Sequence, residues 1–208
     1  MQKLFSNSHF PELRRVSQKT SSHCGPAVLE MLLSFIGIDI DQDKFVEAAE
    51  VGPKLETHGM TISEMGKAVN KLAPGAAFWF KQNSSLSDLS QVVRHYKYPA
   101  GVEWQGVFYD DADEDNGHYS VVTHIDTVNN IVMLADPYMR FAGSDRIFHI
   151  LEFEDRWWEE NEIRDPNTGS VRQERDYHMM FVATFKDETF PESLGMIRGQ
   201  KVRISYIS

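Results

Sequence analysis

The first half of the chain carries apolar residues at helical spacing. Residues 24–37, CGPAVLEMLLSFIG, contain four apolar side chains on one helical face: Leu29, Leu32, Leu33 and Ile36. Pro26 fits the first turn of a helix, and Gly37 supplies a stop signal at the other end. Because this face is heavily apolar, the pattern predicts a central helix that begins near Cys24.

Three further segments carry helix signals. The segment DQDKFVEAAE predicts a short second helix. Thr61 to Glu64, TISE, has the spacing of a capping box and opens MGKAVNKL, which Pro74 and Gly75 close. The segment SLSDLSQVVRHY begins with a serine cap and predicts a further helix.

The middle and C-terminal parts change to runs that are rich in branched and aromatic residues. Five such runs predict strands: AAFWF, PAGVEW, HYSVVTHI, IVMLAD and YHMMFVATF. Asn129-Asn130 lies between the third and fourth runs and predicts a tight hairpin turn. Helices followed by strands indicate an α+β architecture with a mostly antiparallel sheet.

A charged stretch interrupts the strands near the C-terminus. It reads EDRWWEENEIRDPNTGSVRQERDY and has a turn signal at DPNTG. We predict an excursion between sheet strands over Trp157 to Tyr177, as either a hairpin or a short helix and loop. Its role is left open. The aromatic runs Trp157-Trp158 and Phe78-Trp79-Phe80 are interpreted as core and sheet packing rather than as a ligand site.

The composition is that of a soluble globular protein. The chain has 208 residues, of which 41% are hydrophobic and 25% are charged, and this suits one domain with a sizeable core. We predict a single domain over residues 1–208, with a core at about 14–186 and a C-terminal extension at 187–208. The formal net charge of −10 argues against a nucleic-acid partner, which would require a basic face.

The location is predicted from what the sequence lacks. One cysteine cannot form an internal disulfide, so nothing points to an oxidising compartment. The N-terminal segment has no apolar core of signal-peptide length. The longest apolar run, Ala27 to Ile38, contains Glu30 and is too short to span a bilayer. These features predict a cytoplasmic protein without a membrane partner.

Cys24 is the first candidate for chemistry. At the start of a helix, unpaired N–H groups and the positive end of the helix dipole stabilise a thiolate, which is the nucleophilic form. Gly25 removes side-chain bulk where a substrate carbonyl would approach. The alternative is a buried structural residue, because free cysteine is among the most buried residue types. The cysteine alone leaves both interpretations open.

Residues far along the chain favour the nucleophile. His118 begins a predicted strand in NGHYSVVTHID, and Asp136 ends the next one in MLADPY. Neighbouring antiparallel strands can place His118 and Asp136 side by side, as a base and the group that orients it. Gln18 precedes Cys24 by six residues, and we predict that its amide completes an oxyanion hole with the Cys24 backbone N–H.

The other candidate histidines are assigned structural or solvent-facing roles. His124 follows His118 by six residues, which puts it on the same face of the strand but roughly 20 Å away. No acidic residue follows His178 at hairpin distance. His23 adjoins the cysteine, but neighbouring residues at a helix start usually point apart.

Together, these motifs resemble the papain-like cysteine peptidases. Q-x5-C-G-P-A at a helix start, then G-H-Y-x-V-V, then A-D-P after a short hairpin are most similar to the peptidases that process bacteriocin leaders (peptidase family C, number thirty-nine) and their stand-alone relatives. The resemblance covers about Gln18 to Trp158, including FEDRWW. It implies a papain-like fold in which N-terminal helices, with the nucleophile at a helix N-terminus, pack on the sheet.

The resemblance also implies roles for the candidate residues. Cys24 would be the nucleophile, His118 the general base and acid, Asp136 the group that orients His118, and Gln18 the oxyanion donor. The implied chemistry is acyl transfer through a thioester, with a peptide or protein substrate and no cofactor. One departure is His23, where transporter-linked members commonly have an aspartate. No Walker motif is present in the sequence.

Two alternatives to hydrolysis are left open. An acyl or peptidyl transferase on the same scaffold would use an amine in place of water. A catalytically silent peptide-binding module would keep the fold but do no chemistry. The oligomeric state, the physiological substrate and the cleavage-site preference are also left open.

Metal sites are not favoured. The acidic loop Asp110 to Asp115 resembles the start of a calcium loop, but Gly117 comes one position late and the expected glutamate is replaced by Val122. A solvated loop is preferred, with the hypothesis that it lines the active-site cleft and selects cationic substrate residues. A zinc site would need four ligands with paired close spacings, and the sequence has none.

Overall fold

Helices come first in the chain. The computed structural model describes residues 8–108, 117–164 and 168–199. Its α-helices are α1 (Cys24–Phe35), α2 (Gln42–Ala49), α3 (Leu55–His58), α4 (Ile62–Leu72), α5 (Leu86–Ser90) and α6 (Ile150–Arg156). Short 3₁₀ turns form at Gly52–Lys54 and Glu192–Leu194, and a π-helical turn at Gln91–His95 extends α5. The predicted helices are therefore confirmed.

Local capping explains where these helices begin. The Thr61 side chain accepts a hydrogen bond from Glu64 N, and the Glu64 carboxylate accepts one from Thr61 N, which completes the predicted capping box of α4. Ser85 and Asp88 form the same arrangement before α5. These side chains satisfy backbone N–H groups that the first helical turn leaves unpaired.

Helix α1 is the central helix. Its residues from Cys24 to Leu29 and from Met31 to Leu33 are all buried, so both its sides are covered by protein. The sheet covers one side, where α1 contacts β3 (Gly117–Asp126) and β8 (Met180–Phe185), and α2 and α4 pack against it elsewhere. Because α1 is covered by the sheet and by two helices, the apolar face predicted from the sequence is broad.

The main sheet has seven strands in the order β5-β4-β3-β2-β8-β1-β9. The strands are β1 (Ala76–Lys81), β2 (Ala100–Gln105), β3 (Gly117–Asp126), β4 (Ile131–Ala135), β5 (Asp145–His149), β8 (Met180–Phe185) and β9 (Ile197–Arg198). All paired strands are antiparallel. The predicted α+β architecture with an antiparallel sheet is confirmed.

The charged excursion is a separate hairpin. Strands β6 (Trp158–Arg164) and β7 (Val171–Tyr177) pair with each other in a two-stranded sheet. Of the two predicted forms, the hairpin is therefore correct. After it, β8 returns to the main sheet and inserts between β2 and β1.

Two parts of the sheet were not predicted. Strand β5 pairs with β4 along its whole length, but it has only one fully buried side chain, Phe148, and so lacks a clear apolar pattern. Strand β9 pairs with β1, and this brings part of the predicted C-terminal extension into the sheet. Among the described residues, no helix is long and apolar enough to cross a membrane.

The β3–β4 hairpin positions two of the candidate residues. Its turn lies at residues 127–130, and Asn130 adopts a positive φ of 56° there, as predicted for Asn129-Asn130. The register pairs Val121 with Ala135, the residue before Asp136. The register shifts between Val122 and His124. We expected His118 and His124 on the same face because side chains alternate along a regular strand, and this shift interrupts that alternation.

Candidate active site

The N-terminus of α1 carries the cysteine. Cys24 is the first residue of the helix and is buried. A Cβ added to Gly25 would lie 2.6 Å from Met65 Cε, 3.4 Å from Met60 Cβ and 3.5 Å from Tyr119 Cδ2. The absence of a side chain at Gly25 therefore lets the helix start pack against α4 and β3. This packing is a different reason for the glycine from the substrate approach that we expected.

The structure brings Cys24, His118 and Asp136 together. His118 is the second residue of β3, and its Nε2 lies 2.8 Å from Asp136 Oδ1. Burial opposes protonation of His118, but hydrogen bonds to Asp136 and Cys24, and the negative charges of both, raise its pKa to about 9. With Nε2 used by Asp136, Nδ1 is the ring nitrogen left for Cys24. The His118 ring therefore lies between the Cys24 side chain and the ionised Asp136 carboxylate.

Asp136 is buried but has several donors. Besides His118, its Oδ1 accepts a hydrogen bond from Tyr138 N at 2.9 Å, and its Oδ2 accepts one from Arg146 Nη1 at 2.7 Å. Burial alone would raise the pKa of the Asp136 carboxyl, but the hydrogen bond and charge of His118, with the other two donors, lower it. Asp136 is therefore an ionised acceptor for His118.

Gln18 lies in the turn that leads to Cys24. Its backbone N donates to Pro137 O at 2.8 Å, which ties this turn to the strand end that carries Asp136. Its side-chain Nε2 donates to Thr20 O at 2.8 Å and to Ser21 O at 2.9 Å. Gln18 is buried, and its Oε1 has no hydrogen-bond partner among the residues that the structure describes. In this conformation, the amide hydrogens of Gln18 are used within the turn.

A buried pair beside the site was not predicted from the sequence. Glu103 on β2 is opposite Tyr119 on β3, and the Tyr119 hydroxyl donates to Glu103 Oε1. Glu103 Oε2 is buried and has no hydrogen-bond partner in the described parts of the chain. Burial raises the pKa of Glu103 to about 7, although the Tyr119 bond opposes the rise. The available signal was a carboxylate inside the apolar run PAGVEW.

The β6–β7 hairpin also reaches the start of β3. Glu159 on β6 accepts a hydrogen bond from Gln105 Nε2 at 3.0 Å. A Cβ at Gly117 would clash with the Glu159 carboxylate, so the glycine before His118 leaves room for this side chain. The hairpin therefore contributes a carboxylate close to the candidate histidine.

The other histidines lie elsewhere. His23 Nδ1 contacts Thr20 Oγ1 at 2.6 Å, in the turn before α1. The His124 ring stacks on His9, with the ring centroids 4.4 Å apart. His178 stacks on the fully buried Trp157 at 4.8 Å. Each of these three histidines packs within the fold, in keeping with the roles predicted for them.

No metal centre is found within residues 8–108, 117–164 and 168–199, where three or more His, Cys, Asp or Glu side chains do not gather in a metal-binding arrangement. The acidic loop Asp110 to Asp115 lies outside the described residues. Its interpretation as a solvated loop that lines the cleft therefore stays a prediction.

Comparisons with known proteins identify the family and agree with the fold. The model of the Peptidase_C39 like family matches residues 10–164. The peptidase domain of Streptococcus ComA, a bifunctional ABC transporter involved in quorum sensing, is similar in fold, with a TM-score of 0.57 and 18% identity over 84% of this chain and 100% of that one. A double glycine motif protease from an AMS/PCAT transporter, solved with its leader peptide, has a TM-score of 0.51 and 13% identity over 86% of this chain and 94% of that one. No curated protein matches the sequence.

Proposed function

Because the chain belongs to the Peptidase_C39 like family and is a cysteine-type peptidase, we propose that it hydrolyses a peptide or isopeptide bond with a triad of Cys24, His118 and Asp136. The observation that supports this proposal is the buried row of hydrogen bonds from Cys24 through His118 to Asp136. Each member has the neighbour that its role requires: Cys24 lies beside a histidine that can stabilise its thiolate, and His118 lies beside an ionised carboxylate.

The reaction proceeds in two acyl-transfer steps. Cys24 Sγ attacks the substrate carbonyl carbon, and the electron pair of the C=O bond moves to the oxygen. When the tetrahedral intermediate collapses, the C–N bond breaks and His118 gives its proton to the leaving amine, which leaves a thioester. Neutral His118 then takes a proton from water, the oxygen attacks the thioester, and Cys24 leaves as the thiolate. Asp136 keeps the imidazole oriented throughout and stabilises its charged form.

The oxyanion needs donors at the helix start. We propose the backbone N–H of Cys24 and the side-chain amide of Gln18 for this role. Since Gln18 Nε2 now donates to Thr20 O and Ser21 O, one of these hydrogens must be shared with, or redirected to, the oxyanion when substrate binds. For Gln18→Ala we expect kcat to fall about 10²–10³-fold. Gln18→Glu, which keeps the size but replaces the donor by an acceptor, is the matched control and should lose as much.

The substrate class follows from the family and the neighbour in complex. Since the double glycine motif protease binds a leader peptide, we propose a peptide substrate for this chain too. The aspartate that transporter-linked members commonly have before the cysteine is His23 here. His23 contacts Thr20 and Asp43, so it is held away from the proposed row of catalytic side chains.

Peptide digestion tests this function. The purified protein is incubated with a peptide library that includes leader-like sequences, and products are identified by mass spectrometry, with Cys24→Ala as the inactive control. Cleavage that Cys24→Ala abolishes supports a peptidase. Products that carry an added amine, formed in place of hydrolysis when the amine is supplied, would instead indicate a transferase. Binding without any product would indicate a silent peptide-binding module.

Alkylation of the cysteine tests the nucleophile directly. We expect iodoacetamide to react rapidly with Cys24 at pH 6, and the reaction to slow strongly in His118→Ala, because the imidazolium that stabilises the thiolate is gone. Slow labelling of the wild type that speeds up only above pH 8.5, with no effect of His118→Ala, would contradict the proposed triad.

A further inference from the structure

Arg146 contacts the candidate triad from its outer side. It lies on the edge strand β5, and its Nη1 donates to Asp136 Oδ2 at 2.7 Å. Its second terminal nitrogen, Nη2, donates to Val107 O at 2.9 Å. One guanidinium therefore connects Asp136 with the chain segment that follows β2, by two hydrogen bonds from different nitrogens.

Aromatic rings hold the guanidinium in place. Its central carbon lies 3.7 Å from the centroid of the Phe141 ring and 4.9 Å from that of Phe148. The Arg146 side chain is only 16% exposed. A planar, delocalised cation suits this position between rings, and an ammonium group would not stack or donate in two fixed directions.

The hydrogen bonds of Asp136 are divided between its two oxygens. Oδ1 accepts from His118 and from Tyr138 N, and Oδ2 accepts from Arg146. The Asp136 side chain is fully buried, at 0% exposure. Without Arg146, Oδ2 would be a charged buried acceptor with its ion-pair partner removed, and such a group either takes up a proton or rotates toward another donor.

We propose that Arg146 is a positioning residue of the triad: it keeps the Asp136 carboxylate ionised and turned toward His118, and it anchors this carboxylate to Val107. The inference rests on the proposed function, because it assigns Arg146 a role in that same site. Arg146 acts through Asp136, and the described structure gives it no contact with Cys24.

The charges around Asp136 determine in which direction its pKa should move when Arg146 is replaced. In the described part of the chain, the ionisable groups in contact with Asp136 are His118 from β3 and Arg146 from β5, and Cys24 of α1 faces His118. The Asp136 carboxylate therefore lies between two cationic groups, the His118 imidazolium and the Arg146 guanidinium. Removing the terminal cation raises the pKa of Asp136, so its partnership with His118 is lost at a higher pH than in the wild type.

A second arginine provides a matched control. Arg15 binds Asp145, with Nε to Oδ1 at 2.8 Å and Nη2 to Oδ2 at 2.9 Å. Its side chain is 16% exposed, as is that of Arg146, and the Asp145 side chain is 3% exposed. Asp145 also accepts a hydrogen bond from Thr123 Oγ1, but it does not contact His118. Arg15→Met therefore removes a comparable ion pair without touching the triad.

The test combines two measurements on the full chain. The first is the rate of Cys24 alkylation by iodoacetamide from pH 4 to 10, and the second is the NMR signal of the His118 Nε2–H proton, in the wild type, Arg146→Met, Arg146→Lys and Arg15→Met. For Arg146→Met we expect the acidic limb of the alkylation profile to move up by about one pH unit or more. The His118 proton should exchange faster with solvent. Arg146→Lys should recover part of both effects, and Arg15→Met should show neither, even if its stability falls.

Steady-state kinetics add a readout that a general loss of stability would not move. With a cleavable peptide, we expect Arg146→Met to lower kcat about 10- to 100-fold with little change in KM, because Arg146 does not contact substrate. If Arg146→Met does not fold, Arg146→Gln, which keeps one donor for Oδ2, replaces it in every measurement.

The outcomes separate this inference from the proposed function. An unchanged alkylation profile and an unchanged His118 signal in Arg146→Met, with reactive Cys24 in the wild type, would overturn the role of Arg146 and leave the peptidase intact. Conversely, an unreactive wild-type Cys24 would count against the peptidase. The NMR signal would then still decide whether Arg146 positions the Asp136–His118 pair.

Discussion

Two buried carboxyl groups on either side of β3 differ in their charge. Burial by itself would raise the pKa of both carboxyl groups. The net result differs, because the pKa of Asp136 is lowered from its usual value and that of Glu103 is raised to about 7. Their exposure is similar, at 2% and 4%. Depth of burial therefore does not account for the difference.

The number and charge of the donors do account for it. Within the described residues, Asp136 has three donors, of which His118 and Arg146 are cationic groups. From the same residues Glu103 has one neutral donor, the Tyr119 hydroxyl, and its second oxygen has no partner among them. A buried carboxyl ionises when cationic donors replace the lost water and stays neutral when they do not. The adjacent residues His118 and Tyr119 therefore contact an ionised carboxylate and a carboxyl group that is about half protonated at pH 7.

The largest expected effect comes from removing the charge of Asp136. For Asp136→Asn we expect kcat/KM to fall about 10⁴-fold, because the amide neither stabilises the imidazolium nor holds the correct tautomer. Peptide cleavage rates measure this loss. Asp145→Asn, in the neighbouring Arg15 pair, is the control and should cost stability alone. Similar losses in both variants would mean that Asp136 is merely structural.

The next effect concerns stability and is specific to Glu103. Since its pKa rises from 4.5 to about 7 on folding, the folded state binds the proton more tightly, and the free energy of unfolding falls as pH rises from about 4.5 to 7. The loss is on the order of 3 kcal/mol. In Glu103→Gln this pH dependence should disappear. Urea unfolding at pH 5 and pH 8 compares the two proteins, and equal slopes against pH would contradict the assignment.

A smaller change is expected at the basic side of the activity profile. Because the pKa of His118 is about 9, the leaving group loses its acid above that pH, and kcat/KM should fall about tenfold per unit. The stabilising contribution of the charged His118 is present below 6.5 and lost as pH rises through about 9. A pH–rate profile checks this limb. A basic limb of the pH–rate profile near pH 6.5 would show that Asp136 and Cys24 do not raise the pKa of His118.

The smallest effect is expected at the single donor of Glu103. Tyr119→Phe removes the hydroxyl that opposes the effect of burial, so the pKa of Glu103 should rise above about 7. We expect a loss of about 1 kcal/mol in the free energy of unfolding at pH 5, typical of one hydrogen bond. Urea unfolding measures it. An unchanged kcat would show that the Glu103 region and the Asp136 region act independently.

The candidate triad was predicted from the sequence because its residues lie at the ends of strongly patterned elements. Cys24 begins an apolar helix, His118 begins a strand, and Asp136 ends the next one. The hairpin between the two strands is short, so their pairing follows from the Asn129-Asn130 turn. The site residues named from these patterns are the ones that the fold brings together, and their catalytic roles stay a proposal.

The position of Arg146 beside Asp136 and the protonation of Glu103 could not be predicted in the same way. Arg146 lies on an edge strand with one fully buried side chain, which gives too weak a pattern to place it beside Asp136. Glu103 was visible as a charge in an apolar run, but its partner depends on the register that sets it opposite Tyr119. Gln18 was predicted to donate to the oxyanion, and this stays a prediction. Only the folded turn shows that its amide hydrogens are bound by Thr20 O and Ser21 O.

By itself, the sequence determined the helices, the main strands and the helix start at Cys24, because these depend on signals within a few residues of each other. The order of its motifs along the chain indicated the family. Only the tertiary structure decided that β8 inserts between β2 and β1, and which buried carboxyl receives cationic donors. Those outcomes depend on side chains that are distant in the chain. Arg146 reaches Asp136 only after β4 and β5 have paired, and no local pattern encodes that contact.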